Sequence, residues 1–478
     1  MSCALDAREV IMMDLLHLSR LGLTEIVDGF STGEIDPVEV MELTTAQIER
    51  VNPKINALYE MNRADSIDAA KAAAQRYRNG EPKGALDGVP VTIKDSIQAV
   101  GLTWHHGSWL HGTGVLGTVD APPVERLKAE GAIIVAKTTM PDFGLSGSGV
   151  SSYHGITRNP WGLGWSPGGS SAGAGASLAA GIGVVSVGSD IAGSVRLPAS
   201  HCGLAALKPT QGTIAHTPAS DIRSAGPMSR HAADMEPMLR ILGGPHRDDR
   251  FSVPVVEPAG DFASARVGVY RNFGFGPKVE SAVISVLGQA EQAMARLVAS
   301  VTSRDAPYDF DAYAHVDELF KLRGWREYSG AEDILRQYTP PQLLDWFQEA
   351  RDWSPERIAR HEAGVSRGVA QTSRLFDEDD FLLTPVMPIV NFPAEERGID
   401  AAVPLRHCTF AAMFNQSGHP AITICGGFDA RGLPVGIQIV ARRFDDIRLC
   451  RLATALETEL WPDGAISREW PIDAREAE

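Results

Sequence analysis

Two glycine-rich stretches hold the residues that could do chemistry. The first is Ser166-Pro167-Gly168-Gly169-Ser170-Ser171-Ala172-Gly173, and the second is Gly188-Ser189-Asp190-Ile191-Ala192-Gly193-Ser194-Val195-Arg196. Small residues in such number let backbone approach a ligand closely and expose N–H groups to it. A phosphate is the first ligand to consider, but a Walker-type loop needs Lys-Ser or Lys-Thr after its last glycine, and Ala174 follows Gly173. Dinucleotide binding is a weak reading too, since no ordered Gly-x-Gly-x-x-Gly opens a helix with an acidic partner downstream. A serine nucleophile is the next reading. Its hydroxyl is inert at neutral pH until a neighbouring base takes the proton. The chain has 13 histidines, but a Gly-x-Ser-x-Gly elbow is read as absent from this glycine-rich region, so lysine becomes the candidate base. Lys94 ends the apolar run Val91-Thr92-Ile93. A lysine at the tip of a core strand loses hydration, which favours its neutral amine.

The elements that must position these residues follow from periodicity and punctuation. Asp36-Pro37 reads as N-cap and first turn of a helix carrying Val40, Leu43, Ile48 and Val51, with Asn52-Pro53 as its stop. A second helix is expected from Ala64 to Tyr77, ending near Asn79-Gly80. From Gly88 the texture changes to short apolar runs at 89–93, 132–136 and 184–187, which read as strands buried on both faces. Helices are expected between them, at Pro122 to Glu130 and Ser171 to Ala180. Alternation of this kind implies an α/β sheet covered by helices. From about 245 to 378 the chain reads as mainly helical after one strand at Arg266 to Tyr270, and it carries Phe320, Trp325, Tyr328, Tyr338, Trp346, Phe347 and Trp353. Most of these aromatics are expected in the core, with one or two at a pocket. Strands resume at Phe381 to Leu383, Ala421 to Cys425 and Val435 to Val440.

Composition narrows the function classes. The chain has 478 residues, 44% hydrophobic and 22% charged, which is ordinary for a folded protein. Its net charge of -16 argues against nucleic acid as a partner, because that affinity rests on Lys and Arg neutralising phosphates. Met1 to Gly22 mixes leucines with Asp6, Arg8, Glu9 and Asp14 rather than forming a signal-peptide core, and no run of about 18 apolar residues follows, so a cytoplasmic protein with no membrane contact is expected. Five cysteines at 3, 202, 408, 425 and 450 show no ligand or disulfide spacing. Neither a metal nor an organic cofactor is expected.

Several motifs in one order resemble the amidase-signature family. They are Gly88-Val89-Pro90-Val91-Thr92-Ile93-Lys94-Asp95, Lys137-Thr138-Thr139-Met140-Pro141-Asp142-Phe143, Gly155-Ile156-Thr157-Arg158-Asn159-Pro160-Trp161 and the two serine stretches, whose serines stand 24 residues apart as in the family. Gly226-Pro227-Met228-Ser229-Arg230, Gly418-His419-Pro420-Ala421 and Gly432-Leu433-Pro434-Val435-Gly436 continue the likeness, which thins between about 245 and 380. The resemblance implies a single large α/β/α sandwich with a mixed central sheet. One domain is expected over 1–478: N-terminal helices at 1–80, a signature core at 81–244, a divergent mainly helical insertion at 245–380, and closing strands at 381–478.

By position the resemblance makes Ser194 the attacking serine, Ser170 the serine after a cis peptide, and Lys94 the base. It assigns the oxyanion hole to the N–H groups of Ile191, Ala192, Gly193 and Ser194, and a pocket-lining loop to Gly144-Leu145-Ser146-Gly147. Ala192 and Ala172 stand where the family often has glycine; alanine keeps the N–H but not the freedom of φ. Asp190 and Arg196 are expected to be a structural ion pair, and Ser189 and Ser171 to serve either the hydrogen-bond network or the turn. Trp104, Trp109 and Leu145 suggest an apolar or aromatic pocket, with Trp104 a candidate substrate contact. The implied function is hydrolysis of a small or medium carboxamide or anilide, in the manner of an aryl acylamidase, through an acyl-serine. A small-molecule amide and a second copy of the chain are the candidate partners. An amidotransferase subunit supplying ammonia to a partner, and a non-catalytic binding protein on the same scaffold, are the alternatives.

Overall fold

The computed structural model describes residues 14–462 and 469–475; Cys3 and the start of the chain through residue 13 lie outside them. Eleven strands form one mixed sheet: β1 Leu58–Tyr59, β2 Pro90–Lys94, β3 Ile133–Thr138, β4 Val185–Asp190, β5 Ala205–Lys208, β6 Ser224–Ser229, β7 Arg266–Tyr270, β8 Ser300–Arg304, β9 Phe381–Pro385, β10 Ala421–Phe428 and β11 Pro434–Ala441. Their spatial order is β1-β3-β2-β4-β6-β5-β10-β11-β9-β7-β8. Early strands make one half and later strands the other.

For the site the decisive fact is that β2 runs parallel to both β3 and β4. Their carboxyl ends therefore open on the same edge, where parallel α/β sheets place ligands. Val91, Thr92 and Ile93 are β-branched and completely buried, as a strand covered on both faces requires. Thr92 meets Ser186 of β4 through a 2.8 Å side-chain hydrogen bond that satisfies both hydroxyls inside the sheet.

Helices cover the sheet and form where the sequence marks them. Asp36 caps Pro37–Ile55 by accepting from Val38 N–H, and Gly80 closes Arg63–Asn79 in the left-handed conformation. Pro53 does not stop the first helix. The chain runs on to the buried Ile55, and Asn56 ends it at φ 48° with its N–H on Asn52 O at 2.8 Å. No helix among the described residues is long and apolar enough to cross a membrane.

The region read as a helical insertion also supplies sheet. β7 and β8 pair in parallel around the helix Ser281–Met294. The strand β8 escapes the pattern because Ser-Val-Thr-Ser-Arg sits at the sheet edge, mostly accessible, with little apolar alternation to signal it. The strand β6, Ser-Ala-Gly-Pro-Met-Ser, is missed for the opposite reason: it is wholly buried between β4 and β5 yet contains glycine and proline, which argue against a strand. Phe320, Trp346 and Phe347 are buried as expected, in a cluster that also holds Leu145, Ala192 and Leu197, whereas Tyr338 is half exposed. This segment thus packs directly against both predicted site loops.

Candidate active site

Lys94 ends β2 and is 1% exposed. Its Nζ donates to Ser170 Oγ at 2.8 Å and to the carbonyl of Ser189 at 3.3 Å. Burial pushes Lys94 down to about 7; the carboxylates of Asp190 and Asp95 pull the other way, and the guanidinium groups of Arg223 and Arg323 add to the downward push. The lysine is thus divided between amine and ammonium near neutral pH. Lys137, one strand over, is also buried and held at about 8, but its Nζ donates to the carbonyls of Asp95 and Ile97. It ties down the chain beyond Lys94.

Ser170 follows a cis peptide after Gly169 and immediately precedes Ser171, the N-terminal flank of the helix Ala172–Ala179. Ser194 lies in the loop between β4 and the helix Arg196–Cys202 and is partly accessible. The two serine segments are joined by Ser171 N–H, which donates to Ser194 O at 3.0 Å. Among the described residues no hydrogen bond engages the Ser194 hydroxyl. Gly169-Ser170-Ser171-Ala172-Gly173 does spell the Gly-x-Ser-x-Gly pattern, contrary to the sequence reading. It is not a histidine-served elbow, because Ser171 Oγ is buried without any hydrogen-bond partner.

The predicted oxyanion donors separate into two kinds. The N–H groups of Ile191, Ala192 and Ser194 meet no protein acceptor among the described residues. Gly193 N–H, by contrast, donates to Asp190 Oδ1 at 2.7 Å, which removes it from the free donors. Gly193 still has a reason to be glycine: φ is 116°, and a Cβ would collide with Leu197 Cδ1 at 2.1 Å. Neither Ala192 nor Ala172 has a positive φ, so alanine costs nothing at either position.

Asp190 and Arg196 form the structural pair expected of them. Both are fully buried, joined by Nε and Nη2 contacts of 3.0 Å, and Arg196 also donates to Gln438 Oε1 and Asn415 Oδ1 at 2.6 Å each. Burial opposes the carboxylate's charge, but Arg196 and Gly193 N–H outweigh it and hold Asp190 well below the usual range. Arg196→Met should leave that carboxylate unpaired in the interior and lower stability by about 3–5 kcal/mol. A shift of the urea midpoint checks this, and an unchanged midpoint contradicts it.

Of the predicted pocket loop, Gly144 meets the site directly: at φ 68° its missing Cβ would sit 3.1 Å from Ser170 Oγ. Leu145 is buried beside Gly324 of the helix Ala312–Gly330. Ser146 is turned to other work, its hydroxyl bonded to Ser148 Oγ at 2.8 Å and Arg397 O at 2.7 Å. Trp104 lies tilted against His111 and edge-on to His106, at 4.8 and 6.2 Å between ring centres, and Trp109 rests on Tyr153 and Tyr338.

The loop after Lys94 is shaped by Asp95, whose carboxylate accepts from Tyr59 Oη and from the N–H groups of His105 and Gly107, each at 2.7 Å. His106 between them is held at φ 51°, its carbonyl accepting from Phe143 N–H at 2.9 Å. His106 Nδ1 lies 3.1 Å from Glu327 of the helix Ala312–Gly330, and Arg323 Nε lies 3.5 Å from the same carboxylate. His106, His111 and Glu327 bring ligand atoms within 4.8 Å of one another and could hold a metal, but a guanidinium on the same carboxylate works against a cation there. The sequence reading missed Arg223, Arg323 and Glu327. Arg323 and Glu327 are one turn apart on a single helix and Arg223 lies 100 residues before Arg323; none stands in a motif, so no local signal marks them.

Fold and site together define a mixed-sheet α/β enzyme with a buried lysine–serine pair between glycine-rich loops. The family model described as Amidase matches residues 39–450, and the chain belongs to that family of amide-hydrolysing enzymes. A glutamyl-tRNA(Gln) amidotransferase subunit from Anaeromyxobacter sp. (strain K) is 33% identical over 483 residues, covering 93% of this chain and 97% of the relative. An acylamidase from Rhodococcus erythropolis is 30% identical over 472 residues, covering 94% and 97%. A bacterial aryl acylamidase structure matches the fold with a TM-score of 0.85 at 24% identity, covering 95% of this chain and 98% of that one.

Proposed function

We propose that this enzyme cleaves the amide bond of a small or medium carboxamide or anilide with Ser194 as nucleophile, Ser170 as proton shuttle and Lys94 as base. The observation that carries this reading is the 2.8 Å contact between Ser170 Oγ and a buried Lys94 held near 7. As an ammonium, Lys94 donates across that contact. Once neutral, its lone pair accepts the Ser170 proton, and Ser170 takes the proton of Ser194 as Ser194 Oγ attacks the carbonyl carbon. The N–H groups of Ile191 and Ala192 receive the oxyanion. The relay then runs backward: the proton returns from Lys94 through Ser170 to the leaving nitrogen, the C–N bond breaks, and an acyl-Ser194 remains. Water repeats the sequence and releases the acid.

A cytoplasmic homodimer acting on a small-molecule amide completes the reading. The likeness to an amidotransferase subunit favours a second one, in which the chain feeds ammonia to a partner. A panel of aryl, alkyl and peptide amides on the purified chain separates them. Steady turnover of a simple amide or anilide is the expected result; hydrolysis that appears only when a partner is added would favour the subunit. Lack of reaction with a serine-directed phosphonate would favour a non-catalytic binding protein.

A further inference from the structure

Apart from the serines and their lysine, three side chains converge beside the pocket loop. His106 and His111 belong to the segment after Lys94, and Glu327 to the helix Ala312–Gly330. Each offers one ligand atom, and these atoms lie within 4.8 Å of one another at half-buried positions. Among the described residues no other three histidine, cysteine or carboxylate side chains come so close. The ring of Trp104 lies against His111 at 4.8 Å, and the 3.1 Å contact of His106 Nδ1 with Glu327 Oε2 already sets two of the donors side by side.

Two imidazole nitrogens and one carboxylate oxygen suit zinc and its neighbours in the first transition row, with a fourth tetrahedral position left to water. Ligands bonded at about 2.0–2.1 Å to a tetrahedral ion stand about 3.4 Å apart. Side-chain rotation is enough to close the present spread to that distance. Arg323 opposes the ion, since its Nε lies 3.5 Å from Oε1, the other oxygen of Glu327. Its repulsion makes the site weak and leaves Oε2 to the imidazoles. The pair His315 and His361, with 3.2 Å between Nδ1 atoms, is a poorer candidate. Its nearest carboxylate, Glu318 at 3.6 Å from His361 Nε2, is held by Lys321 and Arg357 at 2.8 Å each.

We propose that His106, His111 and Glu327 bind a divalent transition ion such as zinc, and that its binding slows amide hydrolysis. His106 O accepts from Phe143 N–H at 2.9 Å, and the next residue, Gly144, is placed so that a Cβ would be 3.1 Å from Ser170 Oγ. Glu327 stands one turn beyond Gly324, where a Cβ would be 3.1 Å from Leu145 Cδ1. An ion that draws His106 and Glu327 to itself therefore pulls on both sides of the Gly144-Leu145 turn. Displacement of about 1 Å at reacting groups costs up to about 10²-fold in rate. The rate effect rests on the reading of Ser170 as proton shuttle, whereas the binding does not.

Cobalt(II), titrated into the full chain after chelator treatment, reads the site without turnover. One ion per chain with the visible absorption of four-coordinate cobalt, displaced by zinc, is the expected result. His111→Ala and Glu327→Gln should each weaken binding at least about 10-fold. Arg323→Gln should tighten it by about 3- to 10-fold, the scale of one partly screened like charge, and His361→Gln should change nothing. No such band, a band that survives both His111→Ala and Glu327→Gln, or one lost with His361→Gln refutes the site. Saturating zinc should then lower kcat by about 10-fold in the wild type, with recovery on adding chelator. The His111→Ala chain should keep the metal-free rate and escape inhibition. Full activity at saturation, or equal inhibition of both chains, overturns the coupling to catalysis.

Discussion

Ser194→Ala is expected to lower amide hydrolysis by about 10⁴-fold or more, the scale on which loss of a nucleophile acts. The fold should hardly notice. Ser194 is partly accessible and its hydroxyl makes no hydrogen bond among the described residues, so its removal leaves no buried group unpaired; the stability change should stay within about 0.5 kcal/mol. A fluorophosphonate should add its mass to Ser194 in the wild type and to nothing in the variant. An adduct on Ser170, with Ser194 clean, would reverse the roles of the two serines. Because Ser170 already holds Lys94 at 2.8 Å, the test turns on which hydroxyl reacts and not on whether the lysine reaches one.

Lys94→Met should cost about 10²–10⁴-fold in amide hydrolysis, the usual range for a general base. Ester cleavage should suffer less, since an alkoxide leaves without the returned proton that an amine needs. In the wild type, kcat/KM should rise from acid pH to a plateau above about pH 7, because the active form is the neutral amine and Lys94 is held at about 7. Methionine of similar volume should flatten that limb. A variant with wild-type rates and an unchanged pH profile would end the Ser-Ser-Lys mechanism here.

Stability carries the same signature. With a folded value near 7 against an ordinary 10.5, the unfolded chain binds more protons at Lys94 between those limits. Stability must therefore increase with pH across that window, the difference reaching roughly 5 kcal/mol for a shift of this size. Lys137 and Lys208, also depressed, add slopes of the same sign. The difference between wild type and Lys94→Met isolates the contribution of Lys94; parallel pH curves would mean that Lys94 is not perturbed.

Much of this site is legible in the sequence. Lys94, Ser170 and Ser194 stand in motifs, and the strand ends and helix starts that carry them follow from local cues: β-branched runs, Asp36-Pro37, Asn79-Gly80. The α/β class is legible for the same reason, since strand and helix periodicities belong to neighbouring residues. The edge strand Ser300–Arg304 and the buried Ser224–Ser229 were not, because the first lacks an apolar face and the second contains Gly226 and Pro227. Their pairing depends on strands distant in the chain.

Chain order was thus enough to say which groups could react, which elements present them and which family they belong to. Packing alone settled which donors are free and what charge surrounds the lysine. Gly193 N–H is lost to Asp190, Ser146 is lost to Ser148 and Arg397, and Arg223 and Arg323 arrive from separate parts of the chain to press on Lys94. Hydrogen bonds are competitive and electrostatic forces act through space, so both depend on distances that chain order does not encode.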